Sequence, residues 1–174
     1  MKIEKIKPNV VTYKLTPSRE DREYLMYTQA RFEFDCDNGI VNINSDAGDY
    51  SYRWGYNEHE NFMRLMSRIN SDYLLNKISD RTVLDLEASK KETVENVINW
   101  DGYDYSELKS FADEINDIYA DNADEFFYKV DHILPGGMVY DCIAIVKRFP
   151  RSAELICDLF TKYIQPQIKK DFQL

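Results

Sequence analysis

The feature that most constrains the fold is a change of side-chain period near residue 57. From residue 26 to residue 55 the chain alternates with a period of two. Phe32 and Phe34 share one face while Arg31, Glu33 and Asp35 take the other, the pattern of a half-buried strand. Asp37-Asn38-Gly39 follows, and Asn-Gly is a strong hairpin signal because both residues tolerate positive φ. Ile40, Asn42 and Asn44 then alternate with Val41 and Ile43. Asp46-Ala47-Gly48-Asp49 makes a second turn, and Tyr50, Tyr52 and Trp54 alternate with Ser51 and Arg53. These runs predict a three-stranded antiparallel meander with one aromatic face. That face is expected to be core, because so small a sheet needs one side covered. Val10 to Leu15 reads as a further short strand.

Beyond residue 57 the spacing is helical. Phe62, Leu65, Met66 and Ile69 make one apolar stripe. Ser71-Asp72 opens a helix carrying Tyr73, Leu74, Leu75 and Ile78. Ser89-Lys90-Lys91-Glu92 has the form of a capping box opening a helix with Val94, Val97 and Ile98, which Trp100-Asp101-Gly102 ends. Ser106 is expected to cap a helix whose apolar set is Leu108, Phe111, Ala112, Ile115, Ile118 and Tyr119. Phe126, Phe127, Val130, Ile133 and Leu134 mark another, broken by Pro135-Gly136-Gly137. Met138 to Val146 reads as a buried strand. Pro150 and Ser152 start a last helix, with Ile156, Leu159, Phe160, Tyr163 and Ile164 inward and Pro166 expected to kink or end it. A short helix is expected over 17–24 from the Thr16-Pro17 start signal. Strands followed by helices define an α+β fold, a small antiparallel meander of about three to five strands against about five helices. No linker or repeat divides the chain, so one domain over 1–174 is expected.

Composition excludes several classes. With 13 Tyr and 9 Phe the chain is too aromatic for disorder. No apolar run is long enough to span a bilayer, and MKIEKIKPNV lacks the apolar core of a signal peptide, so a soluble, cytoplasmic protein is expected. Cys36, Cys142 and Cys157 are odd in number and widely spaced, which is no disulfide framework and offers no paired zinc ligands. Cys142 and Cys157 are expected to be buried thiols. His59, between Glu58 and Glu60, reads as a surface histidine, and His132 lies at a helix end where a partly positive ring suits the dipole. Asp35, Asp37, Asn38 and Gly39 resemble a calcium loop only loosely, with glycine one position early and no glutamate at the twelfth position. No catalytic residue, metal or cofactor is assigned.

Charge is the most informative quantity. The chain has 22 Lys+Arg against 31 Asp+Glu, a formal net charge of −9. Residues 95–131 hold eleven acids, Glu95, Asp101, Asp104, Glu107, Asp113, Glu114, Asp117, Asp121, Asp124, Glu125 and Asp131, against Lys109 and Lys129. That stretch therefore owns the entire excess, and the remainder is neutral. On a helix running on from Ser106, Glu107, Glu114, Asp117 and Asp121 fall on one face opposite the apolar set, with Asp104 and Asp124 extending the line. Such a row repels itself.

Three readings fit it. It is a solvated helix face; or a protein-binding surface that imitates nucleic-acid phosphates, with Tyr103, Tyr105, Tyr119 and Tyr128 as aromatic anchors; or the carboxylates of a metal-dependent hydrolase, with Asp101/Asp104 and Asp113/Asp117 as candidate pairs. The third needs acids converging in a cleft, whereas a convex helix face spreads them. A net-negative chain does not condense on nucleic acid itself. The expected partner-binding set is Asp104, Glu107, Glu114, Asp117, Asp121, Asp124 and Tyr105. The expected partner is a protein with a basic nucleic-acid-binding surface, without direct contact to nucleic acid or membrane.

One resemblance bears on origin. Asp46-Ala47-Gly48-Asp49-Tyr50-Ser51-Tyr52-Arg53-Trp54-Gly55, followed by Phe62, Leu65 and Asp72-Tyr73-Leu74-Leu75-Asn76-Lys77, resembles a pattern in small proteins of tailed phages and prophages. It covers about residues 30–78 and brings no activity with it. A phage origin implies candidates such as inhibitors of host defence, including anti-CRISPR proteins directed at RNA-guided nucleases. Non-enzymatic accessory proteins of phage DNA replication or recombination are the alternative.

Overall fold

The computed structural model describes residues 3–5, 7, 9–21, 29–55, 61–99, 104–135 and 140–174. In chain order they form β1 (Val10–Leu15), β2 (Ala30–Asp35), β3 (Ile40–Ser45), β4 (Gly48–Arg53), α1 (Phe62–Met66), α2 (Ser71–Ile78) and β5 (Val83–Leu84). There follow α3 (Leu86–Ile98), α4 (Tyr105–Asn116), α5 (Ala123–Asp131), β6 (Lys147–Arg148), α6 (Arg151–Leu159) and α7 (Gln165–Asp171). The fold is α+β, with a four-stranded antiparallel sheet in the order β1-β2-β3-β4 and a two-stranded one of β5 and β6. The chain divides into two compact units, residues 1–80 with 150–174, and residues 81–149. Among the described residues no helix is long and apolar enough to cross a membrane.

The first unit is built on the meander that the alternation predicts. Phe32 lies opposite Ile43, and Phe34 opposite Val41. All four are buried, so one face of the sheet is the core. Trp54 is buried too, and its ring meets Tyr52 edge-on at 4.7 Å and Phe62 at 5.8 Å. The aromatic face is thus core at Trp54 and half-buried at Tyr50 and Tyr52. The fourth strand is β1, which pairs with β2 from Val10↔Asp35 to Leu15↔Ala30. The β2–β3 turn is a four-residue loop, Cys36–Gly39, in which Gly39 alone takes positive φ, at 64°. Asp35 closes it by accepting from the Asn38 amide and side chain.

Helices cover the inner face of this sheet. Phe160 lies 6.3 Å from Phe32 and 6.4 Å from Phe34. It opens a π-helical stretch, Phe160–Ile164, that joins α6 to α7. Pro166 explains the stretch. It has no N–H for the Lys162 carbonyl, and its ring would crowd that carbonyl in a regular α-helix. The wider turn bypasses the position, the Gln165 amide bonding instead to the Phe160 carbonyl. The expected kink or end at Pro166 is therefore replaced by a continued helical run. Gln165 also turns its side chain to α1, donating to the Met66 and Ile69 carbonyls at 3.0 and 2.6 Å. That satisfies acceptors a helix end leaves open. Cys157 is buried as expected, and desolvation pushes its thiol up to about 12.

The second unit has its own core of Leu84, Val97, Phe111, Ile115, Phe126, Val130 and Ile143, joined by buried Cys142. Several local expectations change here. The capping box at Ser89 is not a helix start, because α3 begins at Leu86 with Asp85 as its cap. Ser89 instead lies fully buried within the helix. Its hydroxyl accepts from the Val146 amide at 2.9 Å and donates to the Val146 carbonyl at 3.3 Å. Thr93 accepts from the Ala144 amide in the same way. These hydroxyls do what a neighbouring strand would have done. Met138 and Val139 lie outside the described residues; the rest of the expected strand to Val146 is a 3-10 turn at Tyr140–Cys142 and an irregular segment docked on α3, and among the described residues of this part strand pairing is confined to Lys147–Arg148.

The expected helix at 17–24 is absent over 17–21, where Ser18 and Asp21 close a turn on each other. Residues 22–24, His59, Trp100-Asp101-Gly102, Tyr103 and Gly136-Gly137 lie outside the described residues.

Candidate functional site

The acidic segment lies wholly within the second unit. Its helix is capped by an acid, not by the expected Ser106. Asp104 is the cap, its Oδ1 accepting from the amides of Ser106 and Glu107 and from the Ser106 hydroxyl. Aspartate serves better here because its charge also meets the positive end of the helix dipole. The Ser106 hydroxyl and the two amides hold the Asp104 carboxyl below the usual aspartate range.

The acids do not form one helical row. α4 ends at Asn116, Asp117 is its C-cap, and Asp121 lies beyond it in the connection to α5. Asp124 sits in the first turn of α5. Of the expected acids only Glu107 and Glu114 lie on α4 itself, together with Tyr105 at its first position. The two glutamates are the i−4 and i+3 neighbours of buried Phe111, so they border the apolar stripe instead of standing opposite it. Tyr119, expected in that stripe, is 68% exposed, and its hydroxyl donates to Asp121 at 2.7 Å. The surface is therefore assembled from the start of α4, its end, the α4–α5 connection and the start of α5.

What the segment does keep is exposure without compensation. Asp104, Glu107, Asp113, Glu114, Asp117, Asp121 and Asp124 are all exposed. Among the described residues none of them is ion-paired with a lysine or arginine; the paired acids of residues 95–131 are Glu95, with Lys91 at 3.8 Å, and Glu125, with Lys129 at 2.6 Å. Asp117 is the most telling. A carboxylate at a helix C-terminus opposes the dipole, and the last turn of α4 carries no base of its own. The cation at that helix end comes from buried Lys90 of α3, whose ammonium donates to the Asn116 carbonyl at 2.9 Å. Stability alone does not require acids at 114 and 117.

Aromatic side chains stand among these acids. Tyr105 is 82% exposed and Tyr128 64%. Tyr128 packs on the His132 ring at 4.2 Å, and the Nδ1 of His132, the C-cap of α5, lies 2.7 Å from the Tyr128 carbonyl. Lys129 bonds both the Tyr119 carbonyl and Glu125, while Glu125 accepts from the Asp121 amide. This clamp fixes the α4–α5 connection and presents Tyr119 and Asp121 in one arrangement. Among the described residues no group of three or more His, Cys, Asp or Glu is gathered as a metal site would require.

The Lys129 hydrogen bond and the Asp121 amide hold the Glu125 carboxyl below its ordinary range. Groups depressed in the folded state contribute stability that is present above their unfolded pKa and is lost as pH falls through the folded one. The double variant Asp104→Asn, Glu125→Gln removes both depressed carboxyls, while asparagine keeps the cap. Thermal melts from about pH 7 to about pH 3 are expected to show a smaller loss on acidification in the variant than in the wild type. Equal losses would contradict the assigned roles.

A family model described as a phage family matches residues 2–170, almost the whole chain. The α+β chain with its acidic unit belongs to that phage family. No curated protein and no solved structure matches it.

Proposed function

We propose that the chain is a phage-encoded inhibitor of a host defence nuclease, of the anti-CRISPR kind, which occupies a basic nucleic-acid channel with the acidic surface of residues 104–124. The observation that carries this reading is a net charge of −9 confined to residues 95–131, with the carboxylates of the set exposed and free of ion pairs among the described residues. A channel that holds a guide–target duplex is lined with bases that read backbone charge. An array of uncompensated carboxylates competes for those contacts, and exposed Tyr105, Tyr119 and Tyr128 supply the rigid aromatic area that interfaces favour. The chain acts by binding, without a catalytic residue, metal or cofactor of its own, and does not touch nucleic acid directly.

The test is affinity capture from host lysate at about 0.1 M and about 0.5 M salt, a range over which charge-dominated contacts are strongly screened. An RNA-guided nuclease retained at low salt and released at high salt is the expected result. Capture of a replication or recombination protein instead would replace this reading with that of an accessory factor.

A further inference from the structure

The strand β4 has a property that the acidic surface does not use. Among the described residues it is an edge of the four-stranded sheet, paired with β3 on one side and with no strand on the other. The Trp54 amide bonds the Gly39 carbonyl at 2.9 Å, so backbone groups at 54, 52 and 50 point toward β3. By alternation, the N–H and C=O groups of Asp49, Ser51 and Arg53 point to the open edge. Those three residues are exposed, and none of their backbone groups has a backbone partner there among the described residues.

The sequence along this edge is Asp49-Tyr50-Ser51-Tyr52-Arg53. Read in the opposite direction it is the same string with its end charges exchanged. We propose that β4 is a self-association edge: a second copy of the chain pairs its β4 antiparallel about a two-fold axis through Ser51, joining two sheets into one. In this register Asp49 of each copy lies opposite Arg53 of the other, Ser51 opposite Ser51, and Tyr50 opposite Tyr52. Every outward N–H and C=O of the three edge residues is then satisfied. Opposite charges and aromatic pairs directly across strands are favourable, and a two-fold contact requires this self-complementarity.

The groups needed are already in place. Asp49 is held by the Asn44 side chain at 3.0 Å, which leaves its other oxygen free for a guanidinium. Arg53 has no ion-pair partner among the described residues. The Tyr50 hydroxyl bonds Ser152 at 3.0 Å, and the Tyr52 ring is fixed by Trp54 and by Lys77, whose ammonium lies 5.3 Å from the ring centre. Ordering these rings on association therefore costs little. The opposite edge, β1, offers no such match. Its exposed positions are Val10, Thr12 and Lys14, and self-pairing about Thr12 sets Lys14 against Val10. A natural sheet usually blunts an open edge with like charges or bulges. β4 instead carries charges that attract its own copy. A strand edge with two tyrosine pairs is a small interface, so the dimer is expected to be concentration-dependent.

Sedimentation velocity of the full chain from about 1 µM to about 300 µM, the range in which a small interface associates, tests this. The wild type is expected to shift from monomer to dimer. Arg53→Asp and Asp49→Arg each place like charges opposite one another twice per dimer. Each is expected to weaken association at least about tenfold with circular dichroism unchanged. The exchanged double variant Asp49→Arg, Arg53→Asp restores opposite charges and is expected to recover association to within about threefold of wild type. A wild type that stays monomeric throughout, a dimer indifferent to both single reversals, or a double variant no better than the singles would overturn the proposal.

Discussion

Exchanging Glu114, Asp117 and Asp121 together for lysine is expected to abolish the proposed nuclease inhibition while leaving the fold intact. Three reversals of two charge units each take the formal charge from −9 to −3, all of it within the acidic unit. The three positions span the end of α4 and the connection to α5, where the exposed acids are densest. Across an interface, each reversal turns an attraction into a repulsion, and close interfacial charge pairs couple by roughly 1.5 kcal/mol or more. Three such losses weaken the complex by at least about two orders of magnitude.

The fold tolerates the change for local reasons. All three side chains are exposed, and lysine at the C-terminal end of α4 suits the helix dipole better than the native acids do. The exchange removes two exposed hydrogen bonds, from Ser110 to Glu114 and from Tyr119 to Asp121. Both are solvent-exposed, so water replaces the lost partner. A cleavage assay against the nuclease, with a thermal melt as control, is the measurement. Undiminished inhibition by a well-folded triple variant would remove the charge mechanism.

Phe160→Ala is expected to cost about 3 to 5 kcal/mol of stability, the usual range for deleting a buried phenylalanine ring. The ring is 1% exposed and lies against both Phe32 and Phe34, the two aromatic residues that β2 turns inward. Its removal opens a cavity at the centre of the layer between sheet and helix. The Pro166-driven π stretch that begins at this residue limits how far the helix can settle into the gap. Phe160→Leu fills most of the volume and is expected to lose about 1 kcal/mol, which keeps the comparison informative if the alanine variant does not fold. Urea unfolding measures both. A loss for alanine no greater than that for leucine would show that Phe160 is not the keystone of this core.

Much of the fold is legible in the sequence because the sheet follows short-range rules. Phe32 and Phe34 against Val41 and Ile43 follow from alternation and turn position alone. Where side chains replace backbone as hydrogen-bond partners, sequence pattern misleads. Ser89 has the form of a cap, yet it is a buried hydroxyl that satisfies Val146. The segment before Lys147 has strand composition but takes its hydrogen bonds from that serine and from Thr93. Only long-range contact reveals such pairings, since Ser89 and Val146 are 57 positions apart.

The acidic surface shows the same division. Its charge is plain in the sequence, but the apolar spacing predicts a helix running through Tyr119, and α4 stops at Asn116. A signal for the break exists in Asn122, whose side chain caps α5 by accepting from the Glu125 amide at 2.9 Å. A capping residue with glutamate three positions later marks a helix start, and a helix start at 123 requires the previous helix to have ended. Asp104 and Glu107 show the same spacing, and there too the first residue of the pair is the cap.

The most direct measurement of the central claim is competition between this chain and target DNA for the purified, guide-loaded nuclease. If the carboxylates of residues 104–124 occupy the channel that receives the duplex, the apparent dissociation constant for DNA rises in proportion to inhibitor concentration, and the effect fades as salt is raised. A ternary complex in which the nuclease holds DNA and this chain together, with DNA affinity unchanged, would contradict it.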